Sequence, residues 1–243
     1  MALKPYYEDS AAGIVIYHGD CRDVLPRLEG DSVDLIVTDP PYGVRWQSGR
    51  RQQEFGEIAN DHSTEAAIEG LRLAMPSLRN GRHVYVFGRY DFSSLPLAVS
   101  AELVWDKCHF NSGDTTQPWG NAHEYIQFAS HYKSQANRAD NYGVGSARLR
   151  RGSVLKFPRL NSRAVSDHPT EKPVQLLRVL IESSSTFGEM VLDPFAGSGS
   201  TLEAAMLEGR RCIGIEFEER YCERAASRLQ QGVLFGASPE SAA

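Results

Sequence analysis

Glu189-Met190-Val191-Leu192-Asp193-Pro194-Phe195-Ala196-Gly197-Ser198-Gly199-Ser200 is the stretch on which the fold turns. Its first five residues read as a strand and the next six as a tight, glycine-rich turn. A helix follows from Ser200 to Glu208, with Ser200 and Glu203 spaced as a capping box. Gly209-Arg210-Arg211 ends that helix. Cys212 to Ile215 is the next strand, closed by Glu216, and a further helix runs from Glu218 to Gln231. Strand, glycine turn, helix, strand and acid is how α/β folds hold an adenosine-type ligand. Glycines let the backbone approach the ligand closely. An acid about 20 residues past the turn accepts hydrogen bonds from ribose hydroxyls, and Glu216 has that place. The third glycine of a dinucleotide fingerprint would fall at Leu202, and no Gly-Lys-Ser/Thr loop is present. The expected ligand therefore lacks phosphates. A structural turn with a surface acid is the plainer alternative; Asp193 and Glu216, both at strand ends, weigh against it.

Just upstream, His168-Pro169-Thr170-Glu171-Lys172-Pro173 leads into a helix with Val174, Leu177, Leu180 and Ile181 on one face. Thr170 is placed to cap it, and its N-terminus would favour a carboxylate. A plain Pro-rich cap reads equally from these residues.

Thr38-Asp39-Pro40-Pro41-Tyr42-Gly43 follows the apolar run Val33 to Val37, a buried strand. Ligand sites in open α/β sheets lie beyond the carboxyl ends of strands. Two prolines stiffen the backbone, and the Pro40 carbonyl becomes a fixed acceptor beside the Asp39 carboxylate. Tyr42 adds a flat face with a polar tip. Two acceptors and a stacking ring suit a flat base carrying an exocyclic amino group.

Earlier still, Ile14 to Tyr17 reads as a strand ending in His18-Gly19-Asp20-Cys21, then a short helix from Arg22 to Leu28 weakened by Pro26. Residues 44–62 are polar, without period, and hold Arg45, Arg50 and Arg51. A loop of this length is functional or disordered. Ser63 to Leu78 reads as a helix, capped by Ser63 and stopped at Asn80-Gly81. Val84 to Phe87, Glu102 to Trp105 and Glu124 to Ala129 read as strands, and Leu95 to Val99 as helical. Residues 132–164 are polar and Gly- and Arg-rich, with Arg148, Arg150, Arg151, Lys156, Arg159 and Arg163. A solvated basic face is the bland reading of that run.

The 243 residues suit one domain with an insertion, and 41% hydrophobic residues can bury a sizeable core. A net charge of −5 excludes a basic coat, so any nucleic-acid contact must come from local patches. Cys21, Cys108, Cys212 and Cys222 form no CxxC pair, so neither a zinc site nor a disulfide frame is expected; the first three read as core residues. No signal-like or bilayer-length apolar run is present, and a reducing cytoplasm is the expected compartment.

Together these motifs resemble a β-group DNA amino-methyltransferase, in which the Asp-Pro-Pro-Tyr tetrad precedes the cofactor motif. The likeness extends from Gly19 to Glu216, with Trp105-Asp106-Lys107 and His123-Glu124 as less specific matches. It implies a Rossmann-like α/β fold, with a seven-stranded, mostly parallel sheet and helices on both faces. The motif order is that of a circular permutation. Residues 1–243 would form one methyltransferase domain, with residues 132–164 as a small target-recognition insertion.

By the same resemblance, Asp39, Pro40, Pro41 and Tyr42 are catalytic. S-adenosylmethionine would be held by Asp20 and Cys21 near its adenine and by Glu216 and Phe217 at its ribose. Asp193, Phe195, Gly197, Ser198, Gly199 and Ser200 would cradle it, with His168, Thr170 and Lys172 at its methionine end. Arg45, Arg50 and Arg51, in a mobile DNA-contacting loop 44–62, would hold duplex DNA together with Arg148, Arg150, Arg151, Lys156, Arg159 and Arg163 of the insertion. No metal is implied. Homodimerisation and a cognate restriction endonuclease are further associations the family allows. Asp39 argues for adenine N6 over cytosine N4 as the acceptor. RNA or protein-amide methylation, and a non-catalytic DNA-binding protein on the same fold, are the other readings.

Overall fold

Val33–Thr38, in which every residue is buried, forms the strand (β3) at the middle of the sheet. A strand covered on both faces needs apolar residues throughout, and Leu35 and Val37 point into one core while Ile36 points into the other. The computed structural model describes residues 3–41, 64–109, 118–133, 151–159 and 171–236. The other strands are β1 (Tyr7–Asp9), β2 (Ile14–His18), β4 (Leu78–Phe87), β5 (Leu97–Asp106), β6 (His123–His131), β7 (Val154–Lys156), β8 (Met190–Asp193) and β9 (Arg211–Glu216). Among the described residues they make one sheet in the order β1-β2-β9-β8-β3-β4-β6-β5-β7.

Strands β2, β9, β8, β3 and β4 are mutually parallel. β6 runs antiparallel to both β4 and β5. The expected seven strands are β2 to β6, β8 and β9. The sheet gains antiparallel β1 at one edge and β7, parallel to β5, at the other. β7 lies inside the basic segment 132–164, and its Leu155 joins the core.

Helices α3 (Val174–Ser184), α4 (Ser200–Leu207) and α5 (Glu219–Gly236) cover one face through Leu177, Ile181, Ala205 and Ala225. The other face is covered by α1 (Cys21–Val24), a 3-10 turn at Leu25–Arg27, and α2 (Glu65–Ala74). Pro26 explains the change of helix type, because it has no N–H for an α-helical bond.

Several local expectations need correction. Leu95 to Val99 is not a helix. Leu97 and Ala98 pair with His131 and Ser130, so β5 starts at Leu97, and a register shift between Val99 and Ala101 absorbs the irregularity. Helix α2 ends at Ala74, short of Leu78. Leu78 is buried instead as the first residue of β4, opposite Val33, and Asn80-Gly81 lies within that strand. Thr64 is the N-cap of α2, and Ser63 is outside the described residues. Cys108 is exposed, at φ 61, with its N–H on the Asp106 carboxylate. Cys21, Cys212 and Cys222 are buried.

Candidate active site

Strand β8 leads through α4 to β9 on one side, and β3 leads through α2 to β4 on the other. The chain therefore reverses direction across the sheet between β8 and β3, and open α/β sheets bind ligands at such switch points. The carboxyl ends of the parallel strands present Asp193, Asp39, Glu216 and Asp20 along one edge. β6 is antiparallel, so its first residues, His123 and Glu124, lie on that edge as well.

Two strand ends meet at the switch point. The Thr38 hydroxyl donates to Asp193 Oδ1 at 2.7 Å, and the Phe195 N–H donates to the same oxygen at 3.1 Å. Asp193 is buried, which pushes its carboxyl up to about 6. Hydrogen bonds from Thr201, Thr38 and Phe195 oppose that shift, and the nearby Asp39 charge adds to it. The residue before the tetrad and the residue before the glycine turn thus share one buried hydrogen bond.

The turn itself divides into two roles. The Gly197 N–H donates to Glu216 Oε2 at 2.8 Å, and the Glu218 N–H to Glu216 Oε1 at 2.7 Å. Gly197 has φ +51, and a Cβ there would meet nothing within 4 Å among the described residues. Gly199 has φ +82, and a Cβ there would stand 2.7 Å from the Ala225 Cβ. Gly197 therefore leaves open space beside the carboxylate, whereas Gly199 lets α4 pack on α5. Burial raises the Glu216 carboxyl, against the two backbone N–H bonds. Ser198 is buried. The tip of the Phe195 ring faces Gly70 of α2.

No capping box forms at Ser200. Gly199 is the N-cap, in the left-handed region, with no side-chain cap bond. The Ser200 hydroxyl instead accepts from Arg228 Nη1 at 2.7 Å, and Arg228 also pairs with Glu171 and Glu203. The loops after β2 and β9 are joined by Gly19 N–H to the Glu216 carbonyl at 2.9 Å, and His18 Nε2 lies 3.1 Å from the Phe217 carbonyl. Asp20 caps α1 through the Arg22 N–H and pairs with the Arg22 guanidinium, whose hydrogen bond holds the Asp20 carboxyl below its usual value. Burial pushes the neighbouring Cys21 thiol up to about 11.

Lys172 faces the tetrad and the start of β6. Its ammonium donates to Asp39 Oδ2 at 2.5 Å and stands 3.2 Å from Glu124 Oε2, with the Phe87 ring 5.1 Å away. Glu124 Oε2 is buried and meets no donor at good hydrogen-bonding angles among the described residues, so charge dominates its attraction to Lys172. Glu124 Oε1 pairs with Lys107 at 2.7 Å. Burial alone would push the Glu124 carboxyl up; Lys172 and Lys107 outweigh it and hold the group below its usual range. Burial likewise disfavours the Lys172 cation, but Asp39 and Glu124 more than offset it and raise its pKa. Helix α3 begins with Pro173 as its N-cap and no side-chain cap bond among the described residues; Thr170, read as its cap, lies outside them.

Sequence reasoning missed Tyr90 and Gln127. The Tyr90 hydroxyl donates to the Pro40 carbonyl at 3.2 Å. Gln127 grips the Tyr90 backbone from both sides, accepting its N–H at 2.7 Å and donating to its carbonyl at 3.1 Å. The edge rule applied to β4 would have singled out Gly88-Arg89-Tyr90. An open cavity of about 500 Å³ adjoins this group, lined by Gly88, Trp119, Gly120, Asn121, His123, Glu124 and Tyr125.

Tyr42, Arg45, Arg50, Arg51, Arg148, Arg150, Arg163, His168 and Thr170 lie outside the described residues. Arg151 pairs with Glu182 of α3 at 2.5 Å, Lys156 is exposed on β7, and Arg159 follows that strand. Among the described residues no group of three His, Cys, Asp or Glu could hold a metal ion, and no helix is long and apolar enough to cross a membrane.

Known proteins resemble this chain over most of its length. Type II methyltransferase M2.LlaDCHI of Lactococcus lactis subsp. cremoris is 27% identical over 265 residues, covering 97% of this chain and 96% of its own. The solved M1.HpyAVI–SAM complex matches with TM-score 0.67 and 23% identity, over 89% of this chain and 98% of its own. PvuII DNA methyltransferase (cytosine-N4-specific) matches with TM-score 0.69 and 18% identity, over 93% and 88%. A profile described as DNA methylase, of N6 and N4 type, matches residues 33–227, which run from the first residue of β3 into α5, and the chain belongs to that family.

Proposed function

We propose that this protein transfers the methyl group of S-adenosylmethionine to the exocyclic N6 of an adenine turned out of duplex DNA. The observation that carries the reading is the hydrogen bond from Thr38 to Asp193, which joins the two motifs at the switch point.

The residues of the turn fit this donor. Glu216 keeps lone pairs for ribose hydroxyls after accepting two backbone N–H bonds. Gly197 leaves room beside that carboxylate. The turn from Asp193 to Ser200 holds no Lys or Arg for a phosphate. Asp20, Cys21, Phe195, Ser198, Gly199, Ser200 and Phe217 complete the cofactor side, as do His168 and Thr170 by position in the sequence. S-adenosylmethionine supplies a methyl already activated on a sulfonium, so the protein needs no metal.

The acceptor is the difficult partner, because the amino lone pair of adenine is spread into the ring. Asp39 and the Pro40 carbonyl accept its two hydrogens, which draws the nitrogen toward tetrahedral shape and frees the lone pair. Tyr90 fixes the Pro40 oxygen in place, and Tyr42 is assigned the stacking face. Holding nitrogen, methyl and sulfur in line is worth on the order of 7–11 kcal/mol at best. The base must leave the stack to be reached. The basic residues of segments 44–62 and 132–164 take the phosphates, which makes affinity salt-sensitive. In this reading the protein works in the cytoplasm, where its cellular counterpart is a restriction endonuclease of the same site. Homodimerisation is compatible with it.

Nucleoside analysis of DNA from cells expressing the chain is the test. N6-methyladenine is the expected product. N4-methylcytosine would move the acceptor, and methyl label appearing only in RNA or protein would refute the reading.

A further inference from the structure

Residues 171 and 172 are neighbours in the chain but face opposite halves of the site. Glu171 is held by Arg228 of α5 and lies 3.5 Å from the Ser200 hydroxyl, at the start of the helix that follows the glycine turn. Lys172 reaches the other way, to Asp39 Oδ2 at 2.5 Å and Glu124 Oε2 at 3.2 Å. Lys107 closes the row by pairing with Glu124 Oε1 at 2.7 Å. The row holds two carboxylates and two ammonium groups, so its formal charge is zero. Its Lys172 side chain is 6% exposed. A buried ion of this kind is tolerated only where its partners are fixed.

We infer that Lys172, seated by Glu124, is a positioning residue for Asp39. It ties the carboxylate to the segment before α3, whose Glu171 is joined to Arg228 and the start of α4, and so sets the line between methyl donor and acceptor nitrogen. The inference rests on the methyltransferase reading and deepens it. It gives Lys172 a role at Asp39 in place of the one at the methionine end of the cofactor that the resemblance implied. The sulfonium and the Lys172 ammonium are both cations, and Lys172 already has two carboxylates to answer.

The two roles separate in a transfer assay. Full-length protein is mixed with labelled S-adenosylmethionine and duplex DNA containing the site methylated in the expressing cells. Single-turnover rate and cofactor Kd are measured for wild type, Lys172→Met, Lys172→Arg and Lys172→Met with Glu124→Gln. Lys172→Met is expected to slow transfer on the order of 10–100-fold, the scale of misaligned reacting groups, with cofactor Kd changed less than about twofold. Lys172→Arg keeps a cation for Asp39 and recovers part of the rate. The double variant removes one charge of each sign, which guards the fold. Because the two residues act as a unit, it is no slower than Lys172→Met alone. Cofactor affinity falling in step with rate, full activity of Lys172→Met, or equal rates for the Met and Arg variants would overturn the inference while leaving wild-type methylation intact. Failure of the wild-type protein to methylate DNA would instead bring down the reading beneath it.

Discussion

Replacing each glycine of the cofactor turn by alanine separates binding from packing. At Gly199, φ is +82 and the added Cβ would lie 2.7 Å from the Ala225 Cβ and 3.0 Å from its Cα. The left-handed backbone costs an L residue about 1–2 kcal/mol. Overpacking a well-filled contact costs about 1–3 kcal/mol more, and Ala225 Cα is backbone that cannot swing aside. Gly199→Ala should therefore lose about 2–5 kcal/mol, a large share of the ~5–15 kcal/mol that stabilises a typical domain. At Gly197, φ is +51 and none of the described residues stands within 4 Å of the new methyl. Only the backbone cost of about 1–2 kcal/mol applies there. That methyl would enter the space beside the Glu216 carboxylate, so Gly197→Ala should weaken S-adenosylmethionine about tenfold or more, or ~1.4 kcal/mol. Urea denaturation and cofactor titration read the two effects. Wild-type affinity in Gly197→Ala would refute the placement of the cofactor. Wild-type stability in Gly199→Ala would refute the packing argument.

Other consequences are as direct. Burial raises Asp193 to about 6, so the folded state favours the protonated acid. Its stabilising contribution is complete below the unfolded carboxyl value and is lost as pH rises through about 6. At ~1.4 kcal/mol per unit the change is about 3 kcal/mol. Urea midpoints between pH 4 and 7.5 should show it, and Asp193→Asn should flatten the slope; an unchanged slope would contradict the assignment. Tyr90→Phe removes the hydroxyl that holds the Pro40 carbonyl and should cost about 0.5–1.5 kcal/mol of stability. It should also slow methyl transfer at saturating substrates, measured in a single turnover; an unchanged rate would remove Tyr90 from the site.

The parts of this fold that could be read directly are those carried by contiguous residues. Val33 to Val37, Val84 to Phe87 and the strand-turn-helix-strand run from Glu189 to Glu216 each state their period locally. One rule, that α/β sheets work at the carboxyl ends of strands, then placed Asp39, Asp193 and Glu216 on a common edge. What escaped depends on strand order. Leu97 is extended because β6 lies beside it, 26 or more residues away in the chain. Leu78 matches a helical period yet starts β4, and Ser200 answers Arg228 in place of its own helix end. Lys172 turns to Asp39 because Glu124, on a strand remote in sequence, waits on the same side. Tyr90 reaches Pro40 only because β4 lies between β3 and β6.

The central claim is that the carboxylate after β3 acts on a base whose methyl arrives from the turn after β8. Single-turnover transfer from labelled S-adenosylmethionine to duplex DNA by Asp39→Ala, with cofactor affinity measured on the same protein, tests it most directly. The account expects methyl transfer to be abolished and cofactor Kd to stay near wild type. Transfer at the wild-type rate, or loss of cofactor binding in proportion to loss of rate, would contradict it.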